Sequence, residues 1–338
     1  MPQRIIGGRT VDYSTAEKVQ FDGGAGNDTM DIDESLTFSP VFNGGSGSDT
    51  AVINAGTWRL TTDSVLTTDN LNIVANNDAI VVTTATQHLA SVTLNNTARF
   101  SVGTNGSRVM KMSALTMSPD AIFDLFDNDL MLQATAANRQ AMLAMVSGLV
   151  ASARAGGAWN GKGLRSATAA NNALHTTGLA TVLNDRGDGT TIVSSFDGET
   201  PNNNAILVKY TYNGDANLDG QLNADDYAQI DAGFATHATG WFNGDFNYSG
   251  GAPNSDDYFA IDRAYADQGA PLSTPEAPAS AVVQASAPAS SNTTSTTSAA
   301  SATRAAVKVP EKKHKHHKRD VIDALEIEPR QILQRRRD

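Results

Sequence analysis

Cysteine is absent from the 338 residues, which excludes disulfides, thiolate metal sites and cysteine nucleophiles. A secreted protein without disulfides needs another staple, and bound calcium is one candidate. Charged residues make up only 18% of the chain and aromatics 6%. No apolar run is long enough to span a bilayer. Histidine is scarce as well. His314, His316 and His317 fall in a basic C-terminal run, and His88, His175 and His237 have no partner pattern around them. A Gly-x-Ser-x-Gly motif occurs nowhere. Arg99, Arg108 and Lys111 resemble the cation of a β-helix lyase, but isolated charges on strands are normally solvated. The expectation is a protein without catalytic activity. The opening residues, Met1-Pro2-Gln3-Arg4-Ile5-Ile6-Gly7-Gly8, carry no apolar signal-peptide core. That points to another export route or to a fragment, and a start inside repeat-like sequence favours the fragment.

What the chain does contain is Gly, Asn, Thr and Ser in quantity, with a hydrophobic content of 40%. This mixture suits strands and tight turns better than helical bundles. Its net charge of −11 conceals a split. Residues 301–338 hold 11 Lys/Arg against 6 Asp/Glu, leaving 14 against 30 in the rest of the chain. An acidic body disfavours specific nucleic-acid binding and suits cations.

Two internal repeats organise the first zone, residues 1–132. Phe21-Asp22-Gly23-Gly24-Ala25-Gly26-Asn27-Asp28-Thr29 recurs as Phe42-Asn43-Gly44-Gly45-Ser46-Gly47-Ser48-Asp49-Thr50, 21 residues on. Val92-x-Leu94…Ala98-x-Phe100-x-Val102 recurs as Leu115-x-Met117…Ala121-x-Phe123-x-Leu125, 23 residues on. Alternation within each unit gives strands with one buried face. Two short strands per unit at such a period read as a parallel β-solenoid, with coils of about 21–23 residues. A sandwich of short strands is the alternative. Leu94, Phe100, Val102, Met117, Phe123 and Leu125 are expected to point inward.

A second zone, 133–211, opens with a helix predicted over residues 134–155. Met142, Met145, Leu149 and Ala153 fall at helical spacing, and Gly156-Gly157 supplies a stop. Such a helix would cap the solenoid's open end. Trp159-Asn160-Gly161-Lys162-Gly163 reads as a turn-rich connector, and Thr190–Phe196 and Ala205–Tyr212 as strands. Residues 268–338 are rich in Pro, Ala, Ser and Thr and then basic. They read as a disordered tail, and the run from Lys312 to Arg319 as solvated charge.

The third zone, 212–267, carries the strongest chemical signal. Asp215-Ala216-Asn217-Leu218-Asp219-Gly220-Gln221-Leu222-Asn223-Ala224-Asp225-Asp226 fits an EF-hand-type calcium loop. Positions 1, 3 and 5 offer side-chain oxygens, Gly at 6 allows a sharp turn, 7 offers its carbonyl and 12 a carboxylate. Those are Asp215, Asn217, Asp219, Gly220, Gln221 and Asp226, with Asp at position 12 where an ordinary EF-hand has Glu. The unit returns. Tyr212-Asn213-Gly214-Asp215 is matched by Phe242-Asn243-Gly244-Asp245, and Asp225-Asp226-Tyr227 by Asp256-Asp257-Tyr258.

These paired units resemble the type I dockerin family over Tyr212 to Asp267. The resemblance implies two calcium loops, each followed by a helix, and a cohesin-like protein module as partner in an extracellular assembly. It implies a second site from Asp245, Asn247, Ser249, a carbonyl near Gly251, and Asp257. Ser249 departs from the acidic residue expected at position 5, and one extra residue delays Asp257. The second site is therefore expected to be the weaker. Ala224-Asp225 departs from the Ser/Thr-type pair that dockerins often place at the cohesin contact.

Gly23-Gly24-Ala25-Gly26-Asn27-Asp28 and its copy ending in Asp49 resemble the glycine-rich calcium repeats of RTX-type secreted proteins. There carbonyls face the ion and Asp supplies charge. Asp28 and Asp49 would share an ion on neighbouring coils; plain solenoid turns are the other reading. The stretch from about Asn95 to Asp267 also resembles the C-terminal part of large bacterial surface proteins with β-strand repeats. Together these features imply a calcium-binding protein of the cell surface or extracellular space, docking to a protein module or to cell-surface polysaccharide. The alternative is the non-catalytic C-terminal part of a larger carbohydrate-active enzyme.

Overall fold

Short alternating runs stack into parallel coils, as their 21- and 23-residue spacings require. The structure, a computed structural model, describes residues 3–6, 9–12, 20–36, 39–63 and 70–272. A small antiparallel pair, β1 (Gln3–Ile6) and β2 (Arg9–Asp12), comes first. The coils follow as β3 (Gln20–Asp22), β4 (Thr29–Ile32), β5 (Val41–Asn43), β6 (Asp49–Ile53), β7 (Thr57–Leu60) and β8 (Leu71–Ala75). They continue through β9 (Ile80–Thr83), β10 (Gln87–Leu94), β11 (Arg99–Val102), β12 (Val109–Met117), β13 (Ile122–Asp124) and β14 (Asp129–Leu132).

Register matches the repeats. Phe21 lies beside Phe42 and Thr29 beside Thr50. Leu94 lies beside Met117 and Phe100 beside Phe123. Other coils are shorter than expected. Asn72 pairs with Ser91 and Ile80 with Arg99, so the turns absorb a variable number of residues while each strand keeps its facing. Leu94, Phe100, Val102, Phe123 and Leu125 are buried. Met117, at a strand end, is partly buried against the same core. Phe100 and Phe123 stack across coils at 4.5 Å between ring centroids. Asparagines form a ladder at one corner: Asn95 donates to Asn76 (2.8 Å), Asn76 to Asn54 (2.7 Å) and Asn54 to Asp33 (2.7 Å). Each rung satisfies an amide that the turn would otherwise bury unpaired.

The chain leaves the coils through α1 (Arg139–Arg154), then β15 (Gly163–Arg165), α2 (Ala167–Asn171), β16 (Thr177–Leu183) and β17 (Ile206–Tyr212). Strand β15 adds parallel to β13, at the edge of the sheet formed by β7, β9, β11 and β13. The hairpin β16–β17 adds antiparallel to β14 and covers that edge of the sheet formed by β4, β6, β8, β10, β12 and β14, which would otherwise offer open backbone groups for pairing. Helix α1 is shorter than predicted and turned. Its buried residues are Val146, Val150 and Ala153, whereas Met145 is exposed and Met142 and Leu149 are half-buried. The connector dictates that facing, because a Cβ on Gly161 would meet the Ser152 carbonyl and one on Gly163 the Leu149 carbonyl. Thr190–Phe196 is not a strand. Between Thr191 and Val193 its backbone is met by side chains instead: Asn184 bonds both backbone polar groups of Val193, and Arg186 takes the carbonyls of Thr191 and Ile192.

Two loop–helix units close the described chain, with α3 (Ala224–Thr236) and α4 (Ser255–Asp267). Residues 268–272 then fold back onto the first loop, where Gln268 exchanges bonds with Leu222 and Leu272 donates to the Gly220 carbonyl. The expected disordered tail lies, from residue 273 on, outside the described residues.

Candidate metal centre

Burial and backbone bonds, more than any side-chain cluster, shape the first loop. Asp215 is fully buried and accepts the N–H groups of Asp219 (3.1 Å) and Gly220 (2.9 Å) together with the Thr211 hydroxyl. Asn217 accepts from Asp219 (3.0 Å) and Asp219 from Gln221 (2.9 Å). Asp226, also fully buried, accepts from Ala216 (2.9 Å) and Asn223 (3.0 Å). It is at once the loop's last residue and the third helical residue of α3, where Asn223 completes a capping box. Gly220 has φ of 79° and Leu218 of 65°, the tight winding that the glycine at position 6 allows.

Such carboxylates are expensive to keep charged. Burial pushes Asp215 up to about 7, with Asp226 and Asp219 adding repulsion and the bonds from Thr211 and Gly220 opposing. Burial likewise pushes Asp226 up to about 6. Two buried carboxyls, Asp215 and Asp226, with Asp219 and the Asn217 amide in the same loop, give it donors that are all hard oxygens.

The second loop repeats the pattern. Asp245 accepts from Ser249 (2.9 Å) and Gly250 (3.0 Å), and Asn247 accepts from Ser249 (2.7 Å). Asp257 accepts from Asn247 (3.1 Å) and Asn254 (3.0 Å), again inside a capping box. Tyr248 and Gly250 take the positive φ values of Leu218 and Gly220. Ser249, Gly250 and Gly251 are exposed, and Gln221 of the first loop is too. Here a basic side chain intervenes. Arg154, the last residue of α1, donates to the Asn247 carbonyl at 3.1 Å and lies within electrostatic reach of Asp257 and Asp245. Nothing in the loop's own sequence signals that neighbour.

An approximate two-fold relates the units. The Tyr227 hydroxyl bonds Asp262 (2.7 Å) and the Tyr258 hydroxyl bonds Asp231 (2.6 Å). A Cβ on Gly214 would meet Ile261 and one on Gly244 would meet Ile230. The pair is fastened to the rest of the protein by Tyr248, whose hydroxyl donates to the Leu179 carbonyl of β16 at 2.6 Å. Trp241 ties the loops to each other by donating to the Asp215 carbonyl at 2.7 Å.

In the glycine-rich turns, Asp49 is buried and accepts the Asp28 N–H at 3.0 Å. Ala25 and Ser46 form a parallel bridge, so the two turns do stack on successive coils. The second oxygen of Asp28 is buried without a hydrogen-bond partner, an orphan acceptor of the kind a cation would satisfy. Among the described residues no group of three or more His, Asp or Glu side chains is gathered to hold a metal ion by itself. Candidate donors in the loops are instead mixed, carboxylate with amide, hydroxyl and carbonyl. No helix of the described residues is long and apolar enough to cross a membrane.

One cluster escaped sequence reasoning because its members are far apart in the chain. His88 on β10 lies between Asp63 (2.5 Å) and Glu199 (2.7 Å), and Lys111 on β12 pairs with Glu199 at 3.1 Å. Burial disfavours the charged imidazole, but the bonds to Asp63 and Glu199 outweigh it and raise the His88 pKa. The cluster clamps the loop between β16 and β17 onto the solenoid. Comparison of the chain with protein-family models, with curated proteins and with solved structures finds no match.

Proposed function

We propose that the chain is a non-catalytic, calcium-binding protein of the cell surface or extracellular space, its residues 212–267 forming a dockerin-like pair of calcium loops. The observation that carries this reading is the repeated cradle. In both loops a buried first Asp accepts the N–H groups of the fifth and sixth residues, and a buried last Asp caps the following helix. Asp215, Asn217, Asp219, the Gln221 carbonyl and Asp226 would hold the first ion. Asp245, Asn247, Ser249, a carbonyl near Gly251, and Asp257 would hold the second. Bound calcium supplies the positive charge that these buried carboxylates lack. The first loop has three carboxylates, whereas the second has two and Arg154 beside them, so the first binds more tightly.

Asp28 and Asp49 form a further candidate site on the solenoid. Phe234, Phe259 and Tyr265 are exposed on α3 and α4, an unusual outlay of apolar surface that suits docking to a cohesin-like module. The stacked coils would serve as the displayed body, against other protein or surface polysaccharide.

Calorimetric titration of the full chain with calcium tests the reading. A dissociation constant of about 10⁻⁴–10⁻³ M or tighter is expected, the range of extracellular modules. Asp226→Ala should remove the stronger site and Ser249→Ala should leave it intact. No calcium heat in the wild type sinks the proposal.

A further inference from the structure

Beneath the β16–β17 loop, buried Lys209 and Asp129 meet Asp197 at the loop's exposed edge. Lys209 on β17 is 5% exposed. Its Nζ lies 2.7 Å from Asp129 Oδ2 and 3.5 Å from Asp197 Oδ2, and 5.2 Å from the centre of the Phe196 ring. Asp129, at the start of β14, is 2% exposed, and its other oxygen accepts the Tyr210 N–H at 2.9 Å. Asp197 is held in place by a two-residue turn. Phe196 and Glu199 exchange backbone bonds of 2.9 and 3.0 Å around it, and Asp197 and Gly198 both take positive φ. Asp129 and Asp197 thus face the same amine, and like charges so placed favour keeping a proton on the pair. The trio is thus an amine and a pair of carboxyls that favours holding one proton, packed against an aromatic face, with Lys209 and Asp129 buried and Asp197 at the outer edge.

We propose that Lys209 and Asp197 become joined by an intramolecular amide bond, with Asp129 as the catalytic acid–base. Asp129 takes a proton from the Lys209 ammonium. The freed lone pair of Nζ attacks Cγ of Asp197, forming the C–N bond. The C–O bond to the Asp197 hydroxyl breaks, the hydroxyl leaves with a proton from the nitrogen relayed through Asp129, and one water departs. The ammonium and the carboxylate are gone at the end, leaving a neutral amide beside a neutral carboxylic acid. No oxidant, nucleotide or metal is consumed. Burial raises Asp129 well above the ordinary carboxylate range, with Asp197 adding to the rise, and the same burial opposes the Lys209 ammonium, which the two carboxyls hold in place. Neutralising the buried Lys209–Asp129 pair removes a desolvation penalty that the ion pair only partly offsets. The product is a covalent staple in a chain without cysteine, fixing to β17 the same loop that Glu199 and His88 clamp from the other side.

Mass spectrometry of the intact full chain and of its tryptic peptides tests this. A crosslinked protein is lighter than its sequence by one water, and trypsin does not cut after Lys209. Residues 187–263 then appear as one peptide, with no backbone fragments from between Asp197 and Lys209. A cyclic imide at Asp197-Gly198 would also lose water, but it leaves Lys209 open to trypsin and is cleaved by hydroxylamine. Lys209→Arg and Asp129→Asn should both restore the full mass. Full mass with ready cleavage after Lys209 in the wild type overturns the proposal, as does water loss from the imide alone. Crosslinking that persists in Asp129→Asn overturns the role given to Asp129.

Discussion

Raising the pH from about 4 to about 8 in chelator should weaken the C-terminal module, and the same change in millimolar calcium should strengthen it. The argument starts from Asp215, whose carboxyl moves from an ordinary 3.8 to about 7 on burial. Below 3.8 both the folded and the unfolded chain hold this proton, and nothing is lost. Between 3.8 and about 7 the unfolded chain ionises while the folded one does not. Stability therefore drains away as pH rises through that window. The displacement corresponds to about 4 kcal/mol against the charged form. Asp226, raised to about 6, acts in the same direction, though the two carboxyls interact and their effects do not add in full. Against a typical domain stability of roughly 5–15 kcal/mol, a loss of about 4 kcal/mol amounts to a fall of at least about 10 °C in melting temperature. Calcium reverses the sign, because its ligands must be deprotonated to bind it. Thermal unfolding of the full chain, followed by helical circular dichroism and by the fluorescence of buried Trp241, reads both slopes. Equal slopes with and without calcium would refute the reasoning.

Other positions offer independent checks. Phe100→Ala should cost about 3–5 kcal/mol in urea unfolding, since the ring is fully buried and stacked on Phe123. Gly244→Ala, at φ 103° with Ile230 only 2.5 Å from the new methyl, should destabilise the module by about 1–3 kcal/mol. Gly214→Ala should match it if the approximate two-fold holds. Arg154→Ala should tighten calcium at the second loop, seen as a second resolvable binding heat, because it removes a positive charge next to Asp245 and Asp257. Protection of the amides in residues 184–205, their exchange rates corrected for base catalysis, should fall as pH rises through the raised pKa of His88. The charged imidazole's hold on Glu199 is complete below about 6.5 and is then lost, and His88→Ala should abolish the dependence.

Much of the solenoid could be read from sequence because a coil repeats its own pattern. Phe100 and Phe123 fall at matching places in the alternation, so their side-by-side register follows from chemistry within a few residues. The two loop–helix units were legible for the same reason, every residue of each cradle lying within one short segment. Helix α1 was legible as a helix but not in its facing. Val146 and Val150 turn inward because Gly161 and Gly163, later in the chain, press against the carbonyls of Ser152 and Leu149. Residues 190–196 have the composition of a strand, yet the side chains of Asn184 and Arg186 took the bonds a partner strand would make. Lys209, Asp129 and Asp197 come from three distant segments, as do His88, Asp63 and Glu199. Only the folded chain brings either trio together.

Residue-resolved hydrogen exchange of the full chain, with and without calcium, tests the central claim most directly. The amides of Ala216, Asp219, Gly220 and Asn223, which are bonded to the Asp215 and Asp226 carboxylates, should slow sharply in calcium. Those of Ser249 and Gly250 should slow less, and those of the coils around Phe100 should not change. Exchange in the first loop that is the same with and without the ion would contradict the account.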